Sequence, residues 1–125
     1  MENWELEFEW LRVQHIVRST MNRDKLPDLQ AVLFLIGIQE LGHLRNKFSK
    51  EEKQDLMHIA TCKLLEGEGF YEFVGRDEDG WPHYQLIKHI PKQRIEDQEW
   101  LLKRKAIDYF RMLEAENGGF GEYTT

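Results

Sequence analysis

The chain has 125 residues, a length that suits one domain, since single cores stop growing only beyond roughly 250 residues. Its 17 Lys and Arg stand against 23 Asp and Glu, and the net charge of −6 argues against a protein whose main task is to grip phosphate backbones. With 41% hydrophobic residues, 4 Trp, 4 Tyr and 7 Phe, the chain is too apolar to remain disordered.

The first segment carries two periodicities. Trp4, Leu6, Phe8 and Trp10 alternate with Glu5, Glu7 and Glu9, the period of a strand. Extended to Met21, the same segment shows one helical stripe of Leu6, Trp10, Val13, Val17 and Met21 and a second of Trp4, Phe8, Leu11 and His15. A helix accounts for more of the residues. The run Asn22 to Leu26 is polar and reads as a loop, and Pro27 suits the first turn of a second helix, where its missing N–H costs nothing. From Leu29 to Leu41 that helix is apolar nearly all round, as expected of one buried in the middle of a domain, and Gly42 ends it.

Ser49 and Glu52 form a capping box, so a third helix is expected from about Ser49 to Leu65, with an apolar arc of Leu56, Met57, Ile59, Ala60 and Leu64. The chain then changes period. Phe70 to Gly75 and Trp81 to Ile90 flank Asp77, Glu78, Asp79 and Gly80, which predicts a β-hairpin across about 70–90. A loop of two or four residues places Tyr71 and Phe73 on the face of Tyr84 and Leu86, expected to meet the core. A fourth helix is expected from about Gln93 to Glu116, with a wide apolar face including Ile95, Trp100, Ala106, Ile107, Tyr109, Phe110 and Leu113. Gly118, Gly119 and Gly121 predict a flexible tail over 118–125, leaving residues 1–117 as a single domain. The expected fold is therefore mainly α with one β-hairpin.

The order of helices and hairpin between Ser49 and Lys88 resembles a winged-helix domain, a similarity of topology without a specific motif. That resemblance implies a nucleic-acid-binding regulator, with base-reading side chains on the third helix and the wing. Against it, the tip reads Arg76, Asp77, Glu78, Asp79, which repels phosphates, although Lys50, Lys53 and Lys63 decorate the helix. Duplex DNA is not the expected partner.

Glu40 with His43 and Asp55 with His58 are carboxylate and imidazole pairs one helical turn apart, the unit from which di-iron bundles are built. Such a centre needs two further inward carboxylates, for which Glu5, Glu9, Glu96 and Glu99 are available. Asp55, His58 and Cys62 share one flank of the third helix and suit a borderline metal, or else form a solvated face opposite the apolar arc. His43 falls beyond Gly42 and off its helix. His83 and His89 point away from the core, as a proton-carrying pair or as plain surface. No phosphate loop or nucleophile elbow is present, so no cofactor is expected and nothing supports an enzyme.

Cys62 is the single cysteine, which excludes an intrachain disulfide and favours the cytoplasm. The acidic start is the wrong charge for a signal peptide, and the longest apolar run, Ala31 to Ile38, falls far short of the roughly 18 residues of a membrane helix. What remains is an excess of large apolar surface. The stripe of Trp4, Phe8 and Leu11 has no evident place in a core already holding the second helix, so it is expected either to meet a partner, a second copy or another protein, or to be enclosed by a four-helix arrangement. The whole chain is also similar to small uncharacterised bacterial proteins, through Leu33-Phe34-Leu35-Ile36-Gly37, the run from Lys50 to Ala60, and Asp79-Gly80-Trp81-Pro82-His83. That resemblance implies no activity.

Overall fold

Four helices and one antiparallel hairpin follow one another as α1 (Asn3–Thr20), α2 (Leu29–Leu41), α3 (Lys50–Glu66), β1 (Tyr71–Arg76), β2 (Pro82–Leu86) and α4 (Ile95–Asn117). The computed structural model describes residues 3–43, 45 and 47–117. The tail expected over 118–125 lies outside them. The chain forms two compact units, one of residues 1–32 with 95–125 and one of residues 33–94.

In the first unit the first segment is helical from Asn3, because a helix buries Leu6, Trp10, Val13 and Val17 in one stripe, whereas a strand would split them between faces. This stripe packs beside α4, whose Ala106, Ile107, Tyr109, Phe110 and Leu113 are buried. Arg12 donates to Glu114 at 2.8 Å across 102 residues, and Arg111 lies 3.4 Å from Glu9 at the same separation, so the two helices run parallel. Lys103 sits over the rings of Trp10 and Trp100, 5.5 and 4.5 Å from their centroids, and joins the helices through cation–π contacts. Ile95 departs from expectation. It is 74% exposed, as are Glu96 to Glu99 around it, because α4 begins there and its packing starts only at Trp100.

The start of α2 is set by Asp28, whose carboxylate accepts from the Ala31 N–H at 2.9 Å. Pro27 therefore precedes the cap instead of occupying the first turn. Gly42 ends the helix as expected: its φ of +87° is open to glycine at little cost, and its N–H returns to the Ile38 carbonyl at 3.0 Å.

In the second unit the capping box is present at α3. Ser49 Oγ accepts from the Glu52 N–H at 3.0 Å, and Glu52 Oε1 accepts from the Ser49 N–H at 2.9 Å. The core here gathers Leu41, Leu56 and Ile59, with Phe34, Ile38, Phe48, Trp81 and Tyr84 packed around them. Helices α2 and α3 meet closely at Gly37, where an added Cβ would overlap the carbonyl group and the Cβ of Leu56. A mid-helix glycine costs about 1 kcal/mol against alanine, and this close approach is what it permits.

The hairpin closes on a three-residue tip, Glu78 to Gly80, with the Asp77 N–H donating to the Trp81 carbonyl at 3.0 Å. An odd loop would shift the pairing by one, but an extra residue, Val74, bulges from β1 and restores it. Tyr71 pairs with Leu86 and Phe73 with Tyr84, as the alternation predicts. Their burial is uneven: Tyr71 and Tyr84 are half-buried, whereas Phe73 and Leu86 are exposed. A two-stranded ribbon twists strongly, so only part of its length can lie on the straight α3.

Gly37→Ala should drive a methyl group into the α3 backbone, which cannot yield as a side chain would. The expected cost is about 3 kcal/mol or more, read as a lower denaturant midpoint in circular dichroism, and an unchanged midpoint would refute the close packing.

Candidate functional site

Two surfaces carry the residues singled out in the sequence. The first is the outer face of α1. With its inner stripe buried, helical geometry turns Trp4, Phe8 and Leu11 away, and they are 69%, 63% and 42% exposed. Within the described residues the second stripe is thus left exposed.

The second is a cleft of about 360 Å³ in the second unit, between α3 and the hairpin. The helix lends Asp55, His58, Ile59 and Cys62 to one wall; the hairpin lends Asp77, Trp81, His83 and Tyr84 to the other. The fold brings the hairpin back over the flank of α3 that carries Asp55, His58 and Cys62, which corrects the reading of that flank as simply solvated. Cys62 is 1% exposed, although Asp55 and His58 remain open to water.

Asp77, His83, His58 and Cys62 are held by local hydrogen bonds. Asp77 Oδ1 accepts from the N–H groups of Asp79 at 2.9 Å and Trp81 at 3.0 Å, while Oδ2 accepts from His83 Nε2 at 2.9 Å. The bond from His83, with those from the backbone, lowers the Asp77 carboxyl below its ordinary value. Cys62 Sγ sits 3.5 Å from His58 Nε2, a partner for the thiol that sequence spacing suggested only as a metal ligand. Burial pushes this thiol up to about 11, so it is protonated near neutral pH and is not the thiolate that nucleophilic catalysis requires. Tyr84 holds its phenolic proton more tightly still, through burial first and then through the charges of Glu40 and Glu66.

The metal candidates are not gathered. Among the described residues no three His, Cys, Asp or Glu side chains converge so as to hold a metal ion, so Glu40, His43, Asp55, His58 and Cys62 form no shared centre. Glu9, one of the carboxylates available to complete one, is engaged by Arg12 and Arg111. His43 lies past the end of α2, as expected.

Arg76 has a role that its position beside the hairpin tip conceals. Its guanidinium donates to the carbonyls of Glu40 at 2.7 Å and Leu41 at 3.2 Å, which are unsatisfied acceptors at the end of α2, and to the Gly80 carbonyl at 2.7 Å. Arg76 is thus engaged with the fold, and Asp77, Glu78 and Asp79 stand exposed beside it. Of the α3 lysines, Lys63 lies 3.6 Å from Glu66. Compared with known proteins, the chain matches no family model, no curated protein and no solved structure.

Because its thiol is buried and protonated, Cys62 should react with a disulfide reagent at pH 8 far more slowly in the native protein than in denaturant. Equal rates in both states would show that the cleft wall is open at that point.

Proposed function

We propose that this chain acts through protein contacts and associates with a second copy of itself through the outer face of α1. The observation that supports the reading is the exposure of Trp4, Phe8 and Leu11 on one helical face. Isolated exposed apolar residues are ordinary, but two large aromatics and a leucine at i, i+4, i+7 make a continuous patch of the type that forms interfaces.

The charge order along α1 favours a second copy over an unrelated partner. Beyond Glu9 and Arg12, which are paired with each other and with α4, the acids Glu5 and Glu7 occupy its first half and His15 and Arg18 its second. An antiparallel pairing about a two-fold axis sets the acidic half of one helix beside the basic half of the other. The same operation lays Phe8 on the partner's Leu11 and Trp4 on the partner's His15, so one stripe serves both copies. The setting we assign is the cytoplasm, in keeping with a single, buried, unbridged cysteine. Among the described residues no helix is long and apolar enough to cross a membrane.

Light scattering coupled to gel filtration should give the mass of a dimer at high micromolar concentration. Trp4→Ala with Phe8→Ala should yield a monomer with an unchanged circular dichroism spectrum, since aromatic anchors at interfaces cost about 2 kcal/mol or more each when truncated. A wild-type chain that stays monomeric throughout would refute the proposal.

Duplex DNA is not the partner we infer, because the acidic hairpin tip would meet the phosphates with Arg76 already engaged. Fluorescence anisotropy with random duplex at physiological salt should show no sub-micromolar binding. Tight binding that weakens as salt rises would overturn this inference.

A further inference from the structure

The cleft between α3 and the hairpin combines a sign of charge with a shape. Its acidic lining consists of Asp55 and Asp77, and among the described residues no Lys or Arg faces them there, so the fixed charge of the cleft is negative and favours a cation over a phosphate or a carboxylate. The two carboxylates are not equivalent. Asp77 accepts hydrogen bonds from two backbone N–H groups and from His83, whereas Asp55 is exposed on α3 and makes no hydrogen bond or ion pair among the described residues. Trp81 and Tyr84 line the same cleft from the hairpin, both half-buried and anchored in the core around Leu56 and Ile59. Aromatic faces carry a negative quadrupole, and next to an unpaired carboxylate they attract an organic cation.

We propose that this cleft binds a small organic amine in its ammonium form, with Asp55 receiving the charge and Trp81 and Tyr84 receiving the apolar body. The neighbouring groups agree with that sign. Burial first, and then the charges of Glu40 and Glu66, oppose ionisation of Tyr84, so its phenolic oxygen stays neutral. The Cys62 thiol on the α3 wall is likewise protonated and adds no charge to the cleft. The volume, about 360 Å³, lies at the lower end of the range of small-molecule pockets and suits a single ring with a short chain.

The test is a titration of the full chain, followed by two-dimensional NMR, with three probes of one shape and different charge: phenethylammonium, 2-phenylethanol and phenylacetate. Phenethylammonium should bind saturably at one site, with the largest shifts at the Trp81 indole N–H and around Asp55. The alcohol and the carboxylate should bind at least about tenfold more weakly, and Asp55→Asn should weaken phenethylammonium by a similar factor without altering the rest of the spectrum. Trp81→Phe should retain binding with reduced affinity. Equal or tighter binding of phenylacetate, indifference to Asp55→Asn, or failure of phenethylammonium to saturate would each overturn the proposal.

Discussion

The second unit depends on the contact between Gly37 and Leu56. Without a side chain at Gly37, α2 can lie against the backbone of α3 itself, so close that a single methyl group would overlap the Leu56 carbonyl. Leu56 is fully buried at that point, and the cluster of Leu41, Leu56 and Ile59 grows around it. The crossing also decides where α2 ends. Its last carbonyls emerge beside the hairpin, within reach of Arg76, so a packing constraint between two helices becomes an anchor for a third element. A guanidinium suits this place because several N–H groups diverge from one plane and can serve carbonyls of α2 and of the hairpin turn together.

The hairpin reaches its register through two irregularities that offset each other. A three-residue tip displaces the strands by one position, and the Val74 bulge displaces them back. Had only one been present, Tyr71 and Tyr84 would have fallen on opposite faces of the hairpin, because strand side chains alternate with a period of two. Both tyrosines, together with Trp81, are thereby kept on the α3 side. The β1 edge is partly covered as well, since the Phe73 N–H donates to Glu66 Oε2 at 3.3 Å.

The acidic composition is distributed with structural consequences. Several acids are engaged within the fold: Glu9 and Glu114 tie α1 to α4 through arginines, and Glu52 caps α3 while accepting two bonds from Arg45, at 2.7 and 3.1 Å. The bond from the Ser49 backbone, reinforced by Arg45, holds the Glu52 carboxyl below its ordinary value. Asp55, by contrast, is left facing the cleft. Net charge alone cannot separate these cases, because the same residue type serves as cap, as bridge and as open carboxylate according to what packs beside it.

Much of the fold was legible in the order of residues, because each element carries a local signal. The two stripes of α1, the capping box at Ser49 and Glu52, the glycine stop at Gly42 and the Asp-Gly tip follow from contacts within a few residues, and local energetics settle them. The stripe of Trp4, Phe8 and Leu11 was legible for the same reason, whereas its exposure was one of two outcomes that the sequence left open. The shared face of Tyr71, Phe73, Tyr84 and Leu86 was foreseen too, although the register, the odd tip and the bulge behind it were not. The cleft was only half visible: Asp55, His58 and Cys62 share a helix flank by spacing, whereas Asp77, Trp81, His83 and Tyr84 reach it only when the hairpin folds back over α3. The role of Arg76 was hidden entirely, its partners Glu40 and Leu41 lying 36 and 35 residues away. Sequence by itself determined the elements and their apolar faces, because those rest on short-range periodicity. Tertiary structure alone decided which charged groups were engaged and which faced open space, because desolvation and pairing depend on neighbours that the chain brings together only on folding.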